Sequence, residues 1–90
     1  MERPDLYVLA RFLEALWLKG KGQMRRTELQ MAVRLNYDLY TKYLEFLAAK
    51  GLVSETEEGG ERIVKITQRG VEAFKTLGDL MSQVFENKKP

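Results

Sequence analysis

Residues 35–53 read LNYDLYTKYLEFLAAKGLV, and two different periods meet within that stretch. Between Asp38 and Lys50 the apolar side chains Tyr40, Tyr43, Leu44 and Leu47 recur at spacings of three and four, which puts them on one face of a helix. Asp38 closes the turn-like Leu35-Asn36-Tyr37 and is the expected capping residue; Gly51, just past Lys50, is the expected stop. Beyond Gly51 the period falls to two. Leu52–Thr56 and Arg62–Thr67 are rich in β-branched residues and flank Glu57-Glu58-Gly59-Gly60-Glu61, so they read as a hairpin with a glycine-containing tip. On its second strand Val64 and Ile66 point one way, and Ile63, Lys65 and Thr67 the other.

Working upstream, Thr27-Glu28-Leu29-Gln30 has capping-box spacing and starts a short helix whose inward face is Leu29, Ala32 and Val33. A short helix, a turn of three or four residues and a second helix make a helix-turn-helix pattern. Before it, Gln23–Arg26 is read as a short extended segment. Earlier still, Leu6, Leu9, Phe12, Leu13, Leu16 and Trp17 form the apolar stripe of a helix over Leu6–Lys19, all of it expected in the core. Asp5 caps that helix and Gly20 ends it in a left-handed conformation. Downstream, Thr67 caps a last helix over Gln68–Asn87, and Lys88-Lys89-Pro90 is a polar tail.

Composition narrows the chemistry. Ninety residues support one hydrophobic core, hence one folded unit. With no cysteine and no histidine, disulfides, thiolate or imidazole metal sites and Ser-His-Asp or Cys-His catalysis are all excluded. An enzyme is therefore not expected, nor a cofactor or metal. The formal charge of +2 hides an uneven distribution. Residues 1–26 carry six basic against three acidic side chains, concentrated at Lys19–Arg26, whereas residues 51–69 carry three against four. No run approaches the roughly 18 apolar residues of a membrane helix, and no apolar signal-peptide core follows the Met-Glu-Arg-Pro-Asp start, so a cytoplasmic protein is expected.

The order helix, short strand, helix, turn, helix and hairpin is that of a winged helix-turn-helix, and the details add to the match. Leu35–Val53 resembles the recognition helix and first wing strand of an archaeal winged helix-turn-helix family of small DNA-binding proteins. KITQRG, Lys65–Gly70, resembles that family's second wing strand and the start of its last helix. The resemblance implies binding to double-stranded DNA and pairing of two copies through an antiparallel coiled coil of the C-terminal helix. The fold expected is mainly α with a small β-hairpin (α+β), a winged helix-turn-helix with an extended C-terminal helix. Residues 1–70 form the winged domain and 71–90 the dimerisation helix and tail. The pattern Leu44-x-x-Leu47-x-x-x-Gly51-Leu52 specifies fold better than target, and fold alone does not fix function.

Candidate contacts follow from charge and position. Arg25, Arg26 and Thr27 stand at the start of the second helix, where free amides and the positive dipole end favour a phosphate. On the third helix the outward side carries Asp38, Thr41, Lys42 and Glu45, of which Thr41 and Lys42 are the candidate base contacts, and Tyr37 in the turn offers a hydroxyl to a phosphate. Tyr40 and Tyr43 belong to the core. The hairpin tip departs from the usual basic wing, since Glu57, Glu58 and Glu61 oppose DNA and only Arg62 favours it. Two readings follow: the tip tilts away from DNA docked at the Lys19–Arg26 end, with Arg62 reaching back, or the acidic wing is a protein-interaction surface. A metal site at an exposed, flexible tip lacks the rigid support it needs.

The last helix has more apolar width than one small domain covers. Phe74, Leu77, Met81 and Val84 follow spacings of three, four and three, and with Phe85 they are the candidate dimer interface. Gly78 among them suggests a close backbone approach. The function expected is a homodimeric, double-stranded-DNA-binding transcription regulator or small chromatin protein, with any small-molecule effector unknown; the alternative is a protein-interaction module using its acidic wing.

Overall fold

In a computed structural model, which describes residues 3–85, the chain forms four α-helices and a three-stranded antiparallel sheet. The first helix, α1, runs Leu6–Glu14. Asp5 caps it as expected, accepting from the amides of Tyr7 at 2.8 Å and Val8 at 3.4 Å. The Asp5 amide in turn donates to the Tyr43 hydroxyl at 2.8 Å, which ties the start of α1 to the core.

A π-helical turn, Ala15–Lys19, continues α1. It corrects two expectations. Its wider winding breaks the α period of roughly 3.6 residues that placed Trp17 on the apolar stripe. Ala15 is buried instead, and Trp17 turns outward at 38% exposure. Gly20 is not left-handed, with φ −90. It is required for closeness: a Cβ there would meet the Gln23 carbonyl oxygen and Met24 Cγ at 2.5 Å. The positive φ values fall on the next residues, Lys21 (55) and Gly22 (110).

Strand β1, Gln23–Arg25, follows, and pairs with β3, Glu61–Ile66, which pairs in turn with β2, Val53–Glu58. Each wing strand falls one residue short at its far end, and both run closer to the tip than expected, because the turn is only Gly59-Gly60, both at positive φ, the geometry of a tight two-residue hairpin. In β3 both Ile63 and Val64 are buried, against simple alternation. Arg25 and Thr56 are the cross-strand partners of Ile63, and such partners share a face, so their side chains flank it.

Helix α2, Arg26–Val33, begins where β1 ends. Its capping frame lies two residues before the Thr27–Gln30 box. Arg25 is the cap residue, and the Glu28 carboxylate reaches back to its amide at 3.2 Å. Gln30 instead donates to the Leu35 carbonyl at 3.3 Å. Arg34 carries the turn in the left-handed region, φ 59. Helix α3, Tyr37–Ala49, is capped by Asn36, whose side chain accepts from Leu39 N at 2.9 Å; Asp38 is in the first turn rather than at the cap. Gly51, at φ 75, ends α3 as expected.

The core gathers Leu9, Phe12, Leu13 and Leu16 with Leu29 and Val33 of α2, Tyr40, Tyr43, Leu44 and Leu47 of α3, and Val53 and Val64 of the sheet. Phe12 stacks on Tyr40 and Tyr43 at centroid distances of 5.7 and 5.9 Å. Burying each such side chain contributes about 1.5–3 kcal/mol. Helix α4, Gln68–Phe85, starts at Thr67, whose hydroxyl accepts from Gly70 N at 3.0 Å and donates to the Gly51 carbonyl at 2.6 Å. Val71 is buried, and α4 packs on α1 and β3. Among the described residues, a Cβ added at Gly78 would meet nothing within 4 Å, so the close approach expected there is not made within the chain. The expected helix end at Asn87 lies outside the described residues. Among the described residues, no helix is long and apolar enough to cross a membrane.

Candidate nucleic-acid interface

The β1–β3 pairing brings the start of α2 against the wing. Arg25, Arg26 and Thr27 line one cleft with Gly60, Glu61 and Arg62, a space of about 280 Å³ open to solvent. Four of the predicted contact residues, Arg25, Arg26, Thr27 and Arg62, thus share a single site, although the whole of α3 separates the first three from the last in sequence.

Three of the four wing carboxylates, Glu55, Glu58 and Glu61, are paired with cations of the same chain. Glu61 lies 3.5 Å from Arg25, which also binds Glu28 at 2.8 Å. Glu55 takes Arg26 at 3.4 Å and Arg62 at 2.5 Å on the same Oε1. Glu58 pairs with Lys65 at 3.1 Å. Hydrogen bonding to Arg25 holds the Glu28 carboxyl below its usual range, and bonding to Lys65 and Thr56 does the same for Glu58. The basic end and the wing are therefore in contact within the chain: Glu61, beside the tip, lies against Arg25, drawn by opposite charge.

The remaining candidates lie on α3. Asn36, Tyr37, Asp38, Leu39 and Lys42 line a second, shallow hollow at its start. Tyr37 is 63% exposed there, and Lys42 is exposed. Thr41 is half-buried, and its hydroxyl donates to the Asp38 carbonyl at 2.9 Å, so its proton is committed within the helix. Leu39, 37% exposed, joins this face without having been singled out in the sequence. Glu61 is legible in the sequence only as repulsive charge, and Glu55 only as one of the four acidic residues of 51–69; counting back from a two-residue Gly59-Gly60 turn sets Glu57 opposite Arg62 and places Glu55 on the diagonal to it. Tyr40, buried as expected, donates its hydroxyl to the Arg26 carbonyl at 2.6 Å, and burial raises its pKa above the usual tyrosine value. Among the described residues no group of acidic side chains is arranged to hold a metal ion.

The candidate dimer residues divide. Phe74 and Leu77 are half-buried and pack against the chain's own core. Met81 is half-buried and Val84 is 58% exposed, and Leu80, which is not among the candidates, is 49% exposed beside them. With Leu6, Tyr7 and Leu77 they line an apolar cleft of about 240 Å³ between α1 and α4. The side chain of Phe85 lies outside what the structure describes.

A winged helix-turn-helix family model matches residues 3–84. The chain belongs to that winged helix-turn-helix family. Among solved structures, it is similar to F93 from STIV, a winged-helix DNA-binding protein, with a TM-score of 0.79 at 13% identity over 92% of this chain and 96% of that one. It is also similar to Sso10a-2, a DNA-binding protein from Sulfolobus solfataricus, with a TM-score of 0.75 at 19% identity over 89% and 80%. A third neighbour is the PcaV transcriptional regulator from Streptomyces coelicolor, with a TM-score of 0.72 at 20% identity over 87% and 60%. At these identities the likeness is one of winged-helix fold. No curated protein matched the sequence.

Proposed function

We propose that this winged-helix protein binds double-stranded DNA as a homodimer, acting as a transcription regulator or small chromatin protein. The observation that carries the reading is the convergence of Arg25, Arg26 and Arg62 with the first turn of α2 around one open cleft beside the helix-turn-helix. Guanidinium forks and helix N-terminal amides both suit phosphate oxygens. Helix α3 would enter the major groove, with Tyr37, Lys42 and Thr41 at or near its leading end. Its outward face is close to neutral, so phosphate contacts supply most of the affinity. The DNA-binding proteins and regulators with this fold support the same reading.

For self-association, the support is the exposed apolar set Leu80, Met81 and Val84 beside Leu6 and Tyr7, with Phe74 and Leu77 beneath as backing. The acidic-wing alternative is weakened, because Glu55, Glu58 and Glu61 are each engaged by a cation of the same chain. A titration of a mixed-sequence duplex over a salt series tests the main proposal. Log affinity should fall with log salt at about −0.9 per phosphate contact. No binding at low salt, or binding indifferent to salt, overturns it. Selection from random duplexes then separates a regulator with a two-fold site from a chromatin protein without preference.

A further inference from the structure

We propose that Glu55 is a positioning residue for phosphate contact, holding Arg26 and Arg62 where a DNA backbone can use both; this rests on the DNA-binding reading above. Counting charge alone predicts the reverse, since a carboxylate near DNA repels it.

Glu55 differs from the other wing carboxylates in burial and in connectivity. Its side chain is 19% exposed, against 50% for Glu58 and 56% for Glu61. One oxygen, Oε1, receives both Arg26 from α2 and Arg62 from β3, so Glu55 on β2 joins the wing to the helix-turn-helix. A guanidinium has five N–H donors in a rigid fork, and each arginine spends one of them on Glu55 here, leaving donors for a phosphate. Arg26 is fixed at both ends, its carbonyl by the buried Tyr40 hydroxyl and its head by Glu55. Without Glu55 the two like-charged heads repel, and each must be ordered anew when DNA arrives. With it, that ordering is already complete, which is the advantage of preorganisation.

Arg25 provides the contrast. Its partners Glu28 and Glu61 are exposed, so they are carboxylates that a phosphate displaces.

The test measures affinity of the full chain for a mixed-sequence duplex over a salt series, with thermal melts of each variant. Glu57→Gln removes a wing charge that has no ion pair among the described residues, and should tighten binding. Glu55→Gln removes the same charge and should weaken binding roughly tenfold, the order of one charge-assisted hydrogen bond. In an Arg26→Gln, Arg62→Gln background, Glu55→Gln should cause no further loss, a result that a merely structural role does not produce. Glu55→Asp covers the case in which Glu55→Gln does not fold: it keeps the charge but is one methylene too short to reach both arginines, so it should also weaken binding. Glu55→Gln binding as tightly as wild type or tighter overturns the proposal while the DNA-binding reading stands. An equal loss in the double-arginine background, or Glu55→Asp binding like wild type, does the same. Failure of wild type to bind at low salt is recognisably different and removes both.

Discussion

The Tyr40 hydroxyl donates to the Arg26 carbonyl at 2.6 Å, joining α3 to the first residue of α2. Tyr40 is buried, so Tyr40→Phe leaves that carbonyl without its partner. The expected cost is about 1–3 kcal/mol in urea unfolding. Because burial raises the Tyr40 pKa, the folded state disfavours its phenolate. The corresponding stability is fully present below the unfolded tyrosine value of about 10 and is lost as pH rises beyond it. Wild type should therefore lose more stability than Tyr40→Phe in alkaline melts.

At acid pH the sign reverses. The Glu28 and Glu58 carboxyls are lowered by Arg25 and by Lys65 and Thr56, so their contribution is present above the unfolded glutamate value of about 4.3 and is lost as pH falls through the folded values. Thermal melts should show the midpoint falling below that pH, and a Glu28→Gln, Glu58→Gln variant should show a smaller fall.

Arg25→Gln with Arg26→Gln should weaken binding to all duplex sequences alike. The log-log salt slope should flatten by about two units, one for each phosphate contact removed. A loss confined to one sequence would place these residues on bases instead.

Wild type should sediment as a dimer at micromolar concentration, and Leu80→Glu with Val84→Glu as a folded monomer, because both side chains are exposed within the chain. A monomeric wild type contradicts this.

Gly20→Ala should destabilise the fold by about 1–3 kcal/mol, since the new methyl meets a backbone carbonyl that cannot turn aside. Gly78→Ala, where a Cβ meets nothing within 4 Å among the described residues, should stabilise the isolated fold by up to about 1 kcal/mol, read from the same melts.

What can be read from the sequence depends on how locally it is encoded. Tyr40, Tyr43, Leu44 and Leu47 announce α3 because their spacing is the signal, and all are buried. The caps are harder: Asn36 and Asp38 offer the same chemistry two residues apart, and Thr27 lies just beyond the residue that serves. At α2 the decision is tertiary, since the chain leaves β1's pairing with β3 at Arg25 and turns into the helix there. The π turn that exposes Trp17 has no local signature. The arginine cleft is only half visible in the sequence: the cations stand out, whereas their carboxylate partners depend on strand pairing that a one-residue difference in turn length would redirect.

The sheet order β1-β3-β2 also bears on the sequence of folding. The hairpin closes over two residues, a local event on the scale of about 1–10 μs. Strand β1 must reach β3 from Met24 to Val64, with both helices of the helix-turn-helix in the intervening loop, and such distant pairings form more slowly. The wing should therefore precede the cleft, and a partly opened molecule would keep its hairpin while losing the arrangement of Arg25, Arg26 and Arg62. Hydrogen exchange should find the β1 amides opening before those shared by β2 and β3.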